Sequence, residues 1–219
     1  MPKKTFKGAT MLYPLPAVLV SCGQGEDANL ITIGWTGIIN SEPPCTYISV
    51  RPSRHSHDII EKEGEFVINL TTRDLVYETD WCGCVSGSKK NKWKELRLTK
   101  ETAEQVKCPM VAESPVNLEC KVFEVKHLGS HDMFMAEIVA VHVNENLLDE
   151  KGRIAFERAG LITFNHSLFQ PVSSRSLGSM GYSVMKNATK KRLAAEGRKT
   201  GGQGPHYKLK KTGKGLQKA

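Results

Sequence analysis

Short runs of β-branched residues, parted by turn formers, dominate the first third of the chain. The stretches around Val18-Leu19-Val20, Asn29-Leu30-Ile31-Thr32-Ile33 and Tyr47-Ile48-Ser49-Val50 predict strands at about 17–22, 29–36 and 46–51. Gly23-Gln24-Gly25-Glu26-Asp27 and Ser41-Glu42-Pro43-Pro44 supply the turns between them. Such spacing points to a barrel or sandwich rather than to parallel βαβ units. Residues 56–63 predict one short helix, with Ser56 as cap, Ile59 and Ile60 on its apolar face and Gly64 ending it. Residues 66–70 predict another strand. Between 75 and 96 the pattern changes to two helical pieces around a turn at 82–88. Strands at 116–125 and 133–143 then read as a hairpin whose loop carries His127 and His131. A late strand covers 161–164, and residues 1–12 read as a partly ordered arm.

The third strand empties into a loop with Arg51, Ser53, Arg54 and Ser56. Guanidinium groups offer forked, permanently charged donors and serines add short neutral ones, so this cluster suits a phosphate monoester. The plain alternative is an arginine-rich surface loop. Trp35, one strand earlier, is a flat plate that fits either a ring attached to that phosphate or the core. In Ser86-Gly87-Ser88-Lys89-Lys90-Asn91-Lys92-Trp93 a small-residue turn leads into lysines, which reads as an anion cradle or as a solvated lysine run. Asn29 and Thr32 carry polar groups able to bond a ligand or to complete a turn. Phe164 is an apolar wall or a core residue.

The order of Asn29 before Thr32-Ile33-Gly34-Trp35, Ser49-Val50-Arg51 followed by Arg54-His55-Ser56, and Gly64-Glu65-Phe66-Val67-Ile68-Asn69-Leu70 resembles the flavin reductase-like, FMN-binding split-barrel family, and within it the flavoredoxins. The likeness runs from about residue 8 to about residue 186. It implies a mainly β (α+β) fold, a split β-barrel with Greek-key-like connections and flanking helices, holding FMN. It also implies a homodimer with the flavin near the subunit interface. By the resemblance Arg51, Ser53, Arg54, Ser56, Ser88 and Lys92 anchor the phosphate and the polar ribityl end, Asn29 and Thr32 bond the ribityl chain or ring edge, and Trp35, His131 and Phe164 line the ring. Ser56 departs from the Thr expected in close relatives, and its hydroxyl is kept. The implied reaction is electron transfer from NAD(P)H or a protein donor through FMN to a flavin, a metal chelate or a protein. A non-catalytic redox sensor on the same barrel is the alternative within this class.

Composition narrows these expectations. The chain has 219 residues, 39% hydrophobic and 25% charged, as in an ordinary folded domain. Its formal charge of +8 is concentrated at one end: from Lys186 onward eleven Lys and Arg meet one acid, leaving 20 bases and 22 acids in residues 1–185. A folded domain over 1–186 is therefore expected, with a basic tail over 187–219 that is largely disordered or partly helical, helical at 190–196 if anywhere. Nucleic-acid binding rests on that tail alone and is not expected, since aromatic residues hardly interleave with its basic ones. The six cysteines lack a disulfide-framework spacing, which points to reduced thiols in a cytoplasm. Cys82-Gly83-Cys84 has neither the spacing nor the second pair of a zinc site, so no metal is expected. His127 and His131 could share a metal only on a helix, against which Gly129 argues. The lysines and apolar residues before Cys22 imitate an export signal, but Pro14 and Pro16 interrupt the apolar stretch. No run reaches membrane-spanning length. Neither a nucleophile elbow, a zinc-protease helix, a dinucleotide fingerprint nor a phosphate loop is present. A bound cofactor carrying the chemistry fits that shortage.

Overall fold

In the computed structural model residues 1–195 are described. Residues 1–143 and 160–172 make one compact unit; Asn144–Ala159 and the described residues from Ser173 to Ala195 belong to a second.

The first unit is built on a seven-stranded antiparallel sheet. Its strands are β2 (Val18–Cys22), β3 (Asn29–Ile33), β4 (Thr36–Ser41), β5 (Pro44–Val50), β6 (Glu65–Leu70), β9 (Val116–His127) and β10 (Asp132–Val143), in the order β3-β2-β6-β9-β10-β5-β4. A three-stranded sheet joins β1 (Leu15–Pro16), β11 (Ile162–Asn165) and β12 (Leu168–Pro171), and β7 (Lys100–Glu101) pairs with β8 (Met110–Val111). Helices α1 (His55–Glu63), α2 (Val76–Cys84) and α3 (Lys92–Leu96) flank the strands. The mainly β, split-barrel expectation holds.

The sequence forces the sheet to curl. Strands β3 and β4 lie at its two opposite ends yet are separated by Gly34 and Trp35 alone. Even a fully extended chain gains only about 3.5 Å per residue, so the two ends must meet. The Ser49 backbone N–H donates to the Trp35 carbonyl at 2.9 Å and stitches that seam. Alternation then places Val18, Val20, Ile31, Ile33, Ile48, Val50, Phe66, Ile68 and Phe134 inside the barrel. The opposite faces of β2 and β3 present Leu19 and Leu30 to Cys82, Trp93 and Val111, beneath α2 and α3. Both faces are thus buried, which is why Val18-Leu19-Val20 shows no alternation.

Two expectations need correction. The strand expected over 29–36 breaks at Gly34-Trp35, and β4 follows, hidden in the sequence because Ile38 and Ile39 are adjacent and both exposed. Ser56 does not cap α1: the helix starts at His55, Arg54 occupies the cap position, and no side chain bonds the first turn. The Ser56 hydroxyl instead accepts from Asn29 Nδ2 at 2.8 Å. Gly64 ends the helix in a left-handed conformation, φ 68°, as only glycine does without strain.

In the second unit, turns at Glu145–Leu147 and Phe156–Arg158 flank a loop in which the Asp149 carboxylate accepts from the Lys151 and Arg153 backbones and from the Arg153 side chain. Helix α4 (Asn187–Ala195) spans part of the helical stretch expected at 190–196; Glu196 and the remaining tail lie outside the described residues. Among the described residues, no helix is long and apolar enough to cross a membrane.

Candidate functional site

The seam that closes the barrel also opens a cleft. Trp35, held by its backbone between the sheet ends and 39% exposed, lies against His131 with ring centroids 4.5 Å apart and planes at 38°. His131 reaches it from the β9–β10 turn, where the Leu128 N–H donates to the His131 carbonyl and Gly129 takes φ 92°. The two rings form one wall of a cavity of about 330 Å³, which Arg51, Arg54, Thr32 and Phe164 also line. Phe164 comes from the small sheet and packs on Phe169 at 5.3 Å.

A smaller cavity of about 80 Å³ adjoins the first, sharing Ile31, Arg54 and Gly83 with it. Its lining includes Asn29, Ser53, Arg54, Ser56 and Lys92, brought together from β3, the β5–α1 loop, α1 and α3. The uncapped first turn of α1 adds N–H groups with no intrahelical partner. Lys92 is only 3% exposed, and its Nζ donates to the Cys82 carbonyl at 2.7 Å. A buried ammonium with donors to spare is a strong anion ligand. Burial depresses the Lys92 pKa, Cys82 and Cys22 oppose that, and Arg54 adds to it. Burial likewise lowers the His131 pKa, helped by Arg51 and Arg54, so the imidazole beside Trp35 is neutral at neutral pH. The Cys82 thiol, buried at the same place, is pushed up to about 12 and is no nucleophile.

Ten of the eleven residues expected at the site line these two cavities, with three qualifications. Thr32 lines the larger cavity, but its hydroxyl donates to the Thr79 carbonyl, leaving it an acceptor only. Phe164 is half-buried, so it serves the cavity and its own sheet at once. Asn29 lines the smaller cavity while its amide is committed to Ser56. The exception is Ser88. It lies with Lys89 and Lys90 along a third, outer cavity of about 640 Å³, whereas Ser86 and Gly87 line the smaller one. The reason is the path of the turn: Gly87 passes so close to Asn29 that a Cβ there would stand 2.2 Å from Asn29 Oδ1. His127 is exposed but not isolated: its Nδ1 is 3.0 Å from the Asp132 carboxylate.

Sequence reasoning missed Tyr13, Asp80, Cys84 and Phe169, which also line the larger cavity. Asp80 and Cys84 lie on α2, whose period-3.6 pattern is too short to assign a face. Ser86 was legible as a small residue before Gly87, yet nothing local separates its role from that of Ser88.

The model of the flavin reductase like domain matches residues 10–169. This chain belongs to the flavin reductase-like family. Among solved structures it is similar to flavoredoxin of Desulfovibrio vulgaris (Miyazaki F), at 28% identity and TM-score 0.73, covering 78% of this chain and 94% of that one. It is also similar to flavoredoxin from Methanosarcina acetivorans, at 26% identity and TM-score 0.75, covering 84% and 100% respectively. A protein of Archaeoglobus fulgidus is 33% identical over 146 residues, 67% of this chain and 82% of that protein. The flavin reductase-like match spans both the seam with Trp35 and the strand carrying Phe164.

Proposed function

We propose that the chain is an FMN-binding flavoprotein oxidoreductase that passes electrons from NAD(P)H or a protein donor through FMN to a flavin, a metal chelate or a protein acceptor. The observation that carries this reading is the pairing of unlike ends in one cleft. Flat rings, Trp35 against His131, stand at one end; Arg54, Ser53, Ser56 and Lys92 converge at the other. A planar ring joined by a short polar chain to a monophosphate fits that polarity, and similarity to two flavoredoxins supports it.

When bound, FMN supplies the two-electron redox chemistry. The protein's residues bind and orient. Lys92 and Arg54 oppose the phosphate charge, and Ser53 and Ser56 donate to its oxygens. Asn29 fixes the Ser56 hydroxyl by donating to it. Trp35 and His131 exclude water from the ring, and Phe164 adds an apolar wall. Because His131 is neutral, it adds no fixed charge there, while Arg51 and Arg54 keep the cleft positive.

A homodimer is part of the same reading, supported by the free outer edge of β4, where Ile38 is 73% and Ile39 46% exposed. The six free thiols support a reducing, cytoplasmic setting.

The test begins with colour. Protein purified from flavin-replete cells is expected to absorb near about 450 nm, the flavin band, and to release FMN on denaturation. Anaerobic addition of NADH or NADPH is then expected to bleach that band within the turnover time. Colourless protein that takes up no FMN would refute the reading; a coloured protein that neither nucleotide bleaches would be a sensor or use a protein donor.

A further inference from the structure

Between Ser173 and Ala195 the chain turns large apolar side chains outward. Leu177 is 94%, Met180 91% and Val184 82% exposed, and Tyr182 is exposed among them. The backbone that carries them is folded on itself. The Gly178 N–H donates to the Ser176 hydroxyl at 3.1 Å, the Tyr182 N–H to the Ser179 carbonyl at 3.0 Å and the Val184 N–H to the Gly181 carbonyl at 3.2 Å. Gly181 takes φ 82°, which glycine adopts without strain, and a Cβ on Gly178 would stand 2.7 Å from the Tyr182 ring. These turns hold a knuckle with aliphatic tips. We infer that this knuckle, together with the basic helix α4 that follows it in the chain, docks on the surface of an anionic lipid bilayer.

Charge complementarity names the partner. Residues 173–195 carry Arg175, Lys186, Lys190, Lys191 and Arg192 and no acid, whereas residues 1–172 hold 19 bases against 22 acids. Attraction to an anionic surface therefore belongs to this segment, where Lys186, Lys190 and Lys191 are exposed. Lysines are drawn to anionic headgroups, and aliphatic tips gain by leaving water for the acyl boundary. One such signal gives marginal, reversible attachment; here two stand side by side in the chain. The turn hydrogen bonds serve the same end, because a backbone N–H taken out of water without a partner is costly. A nucleic acid would use the cationic side chains alone, since Leu177, Met180 and Val184 cannot stack on nucleobases as aromatic rings do. The contact is with the surface of a bilayer: among the described residues no helix is long and apolar enough to cross one. The flavin reductase-like match ends at residue 169, before this segment, so the inference does not rest on the FMN reading.

The experiment is co-sedimentation of the full chain with vesicles of phosphatidylcholine, or of an equal mixture of phosphatidylcholine and phosphatidylglycerol, beside a titration with a DNA duplex. Unmodified protein is expected to bind the mixed vesicles about tenfold or more tighter than the neutral ones, and to be released as salt rises. Two double variants, Leu177→Ser with Met180→Ser and Lys190→Glu with Lys191→Glu, change exposed side chains only. Each is expected to weaken binding to the mixed vesicles by about tenfold and to leave the unfolding midpoint in place. No sedimentation with the mixed vesicles, or equal affinity for both kinds, overturns the inference. So does a loss confined to the glutamate variant, because the apolar tips would then contribute nothing. Tighter binding to the duplex than to the mixed vesicles assigns the segment to nucleic acid and also overturns it. Each of these outcomes leaves the FMN reading untouched.

Discussion

His57 Nε2 lies 2.8 Å from Asp132 Oδ2, and both side chains are almost fully buried. Asp132 also accepts from His127, and His57 reaches the Asp58 carboxylate at 3.1 Å. The pair ties the start of α1 to the start of β10, one residue from His131. Burial works against charge on His57, but the hydrogen bonds with Asp132 and Asp58 outweigh it and raise its pKa above 6.5. The hydrogen bond from His57 is the main reason the Asp132 carboxyl sits below 3.8.

Removing one partner strands the other. Asp132→Asn is expected to cost about 3–5 kcal/mol, the usual penalty for breaking a buried pair, read from denaturant unfolding. The pH profile carries the signature. Stability from His57 is complete below pH 6.5 and is lost as pH rises through its raised pKa; that from Asp132 is present above 3.8 and is lost as pH falls through its lowered one. Thermal unfolding should therefore show a plateau that falls at both ends, and the variant should flatten it. An unchanged profile would mean that the pair does not hold the site's frame.

Trp35→Ala tests the ring end. The contact with His131 is worth about 0.5–1.5 kcal/mol beyond area burial, and a bound ring would draw a similar amount. Flavin fluorescence is expected to report roughly tenfold weaker FMN binding. The unfolding midpoint should fall by no more than the lost His131 contact is worth, because the seam itself is closed by the Trp35 backbone.

Lys92 tests the phosphate end through pH. Its lowered pKa means that the ammonium loses its proton below the ordinary 10.5. FMN affinity should accordingly fall as pH rises through that lowered value, while Arg54 stays charged. Lys92→Met is expected to lose about 1.5–3 kcal/mol of FMN binding, the worth of a charged hydrogen bond, and to abolish the alkaline fall. A fall that persists in the variant would assign it to another group.

Gly87→Ala tests the turn. With its Cβ 2.2 Å from Asn29 Oδ1, alanine must displace either the turn or Asn29. Overpacking of this kind costs about 1–3 kcal/mol. FMN affinity should fall with stability, since Asn29 positions Ser56. Ser88→Ala, outside the inner cavities, should leave FMN binding unchanged.

The residues that line the inner cavities were readable where one local run delivers several of them: Arg51, Ser53, Arg54 and Ser56 follow one strand, and a polar cluster after an apolar run announces itself. Trp35 was readable as a plate, but not as a seam, because nothing in Gly34-Trp35 shows that its neighbours lie at opposite ends of one sheet. The same long-range pairing hid β4, whose adjacent isoleucines show no alternation. Ser56 misled as a helix cap because a serine before an apolar turn satisfies the local rule, whereas its partner, Asn29, is 27 positions away. Ser88 shows the limit of spacing: which of two serines faces inward depends on Gly87 meeting Asn29, a contact no window of neighbouring residues contains.

Because Gly34 and Trp35 are the entire bridge across the barrel's split, the wall of the cleft is also the clasp of the fold. A molecule wedged beside that indole steadies both margins of the sheet together. Amide exchange should then slow in β3 and β4 alike when the cleft fills, although the two strands share no ladder.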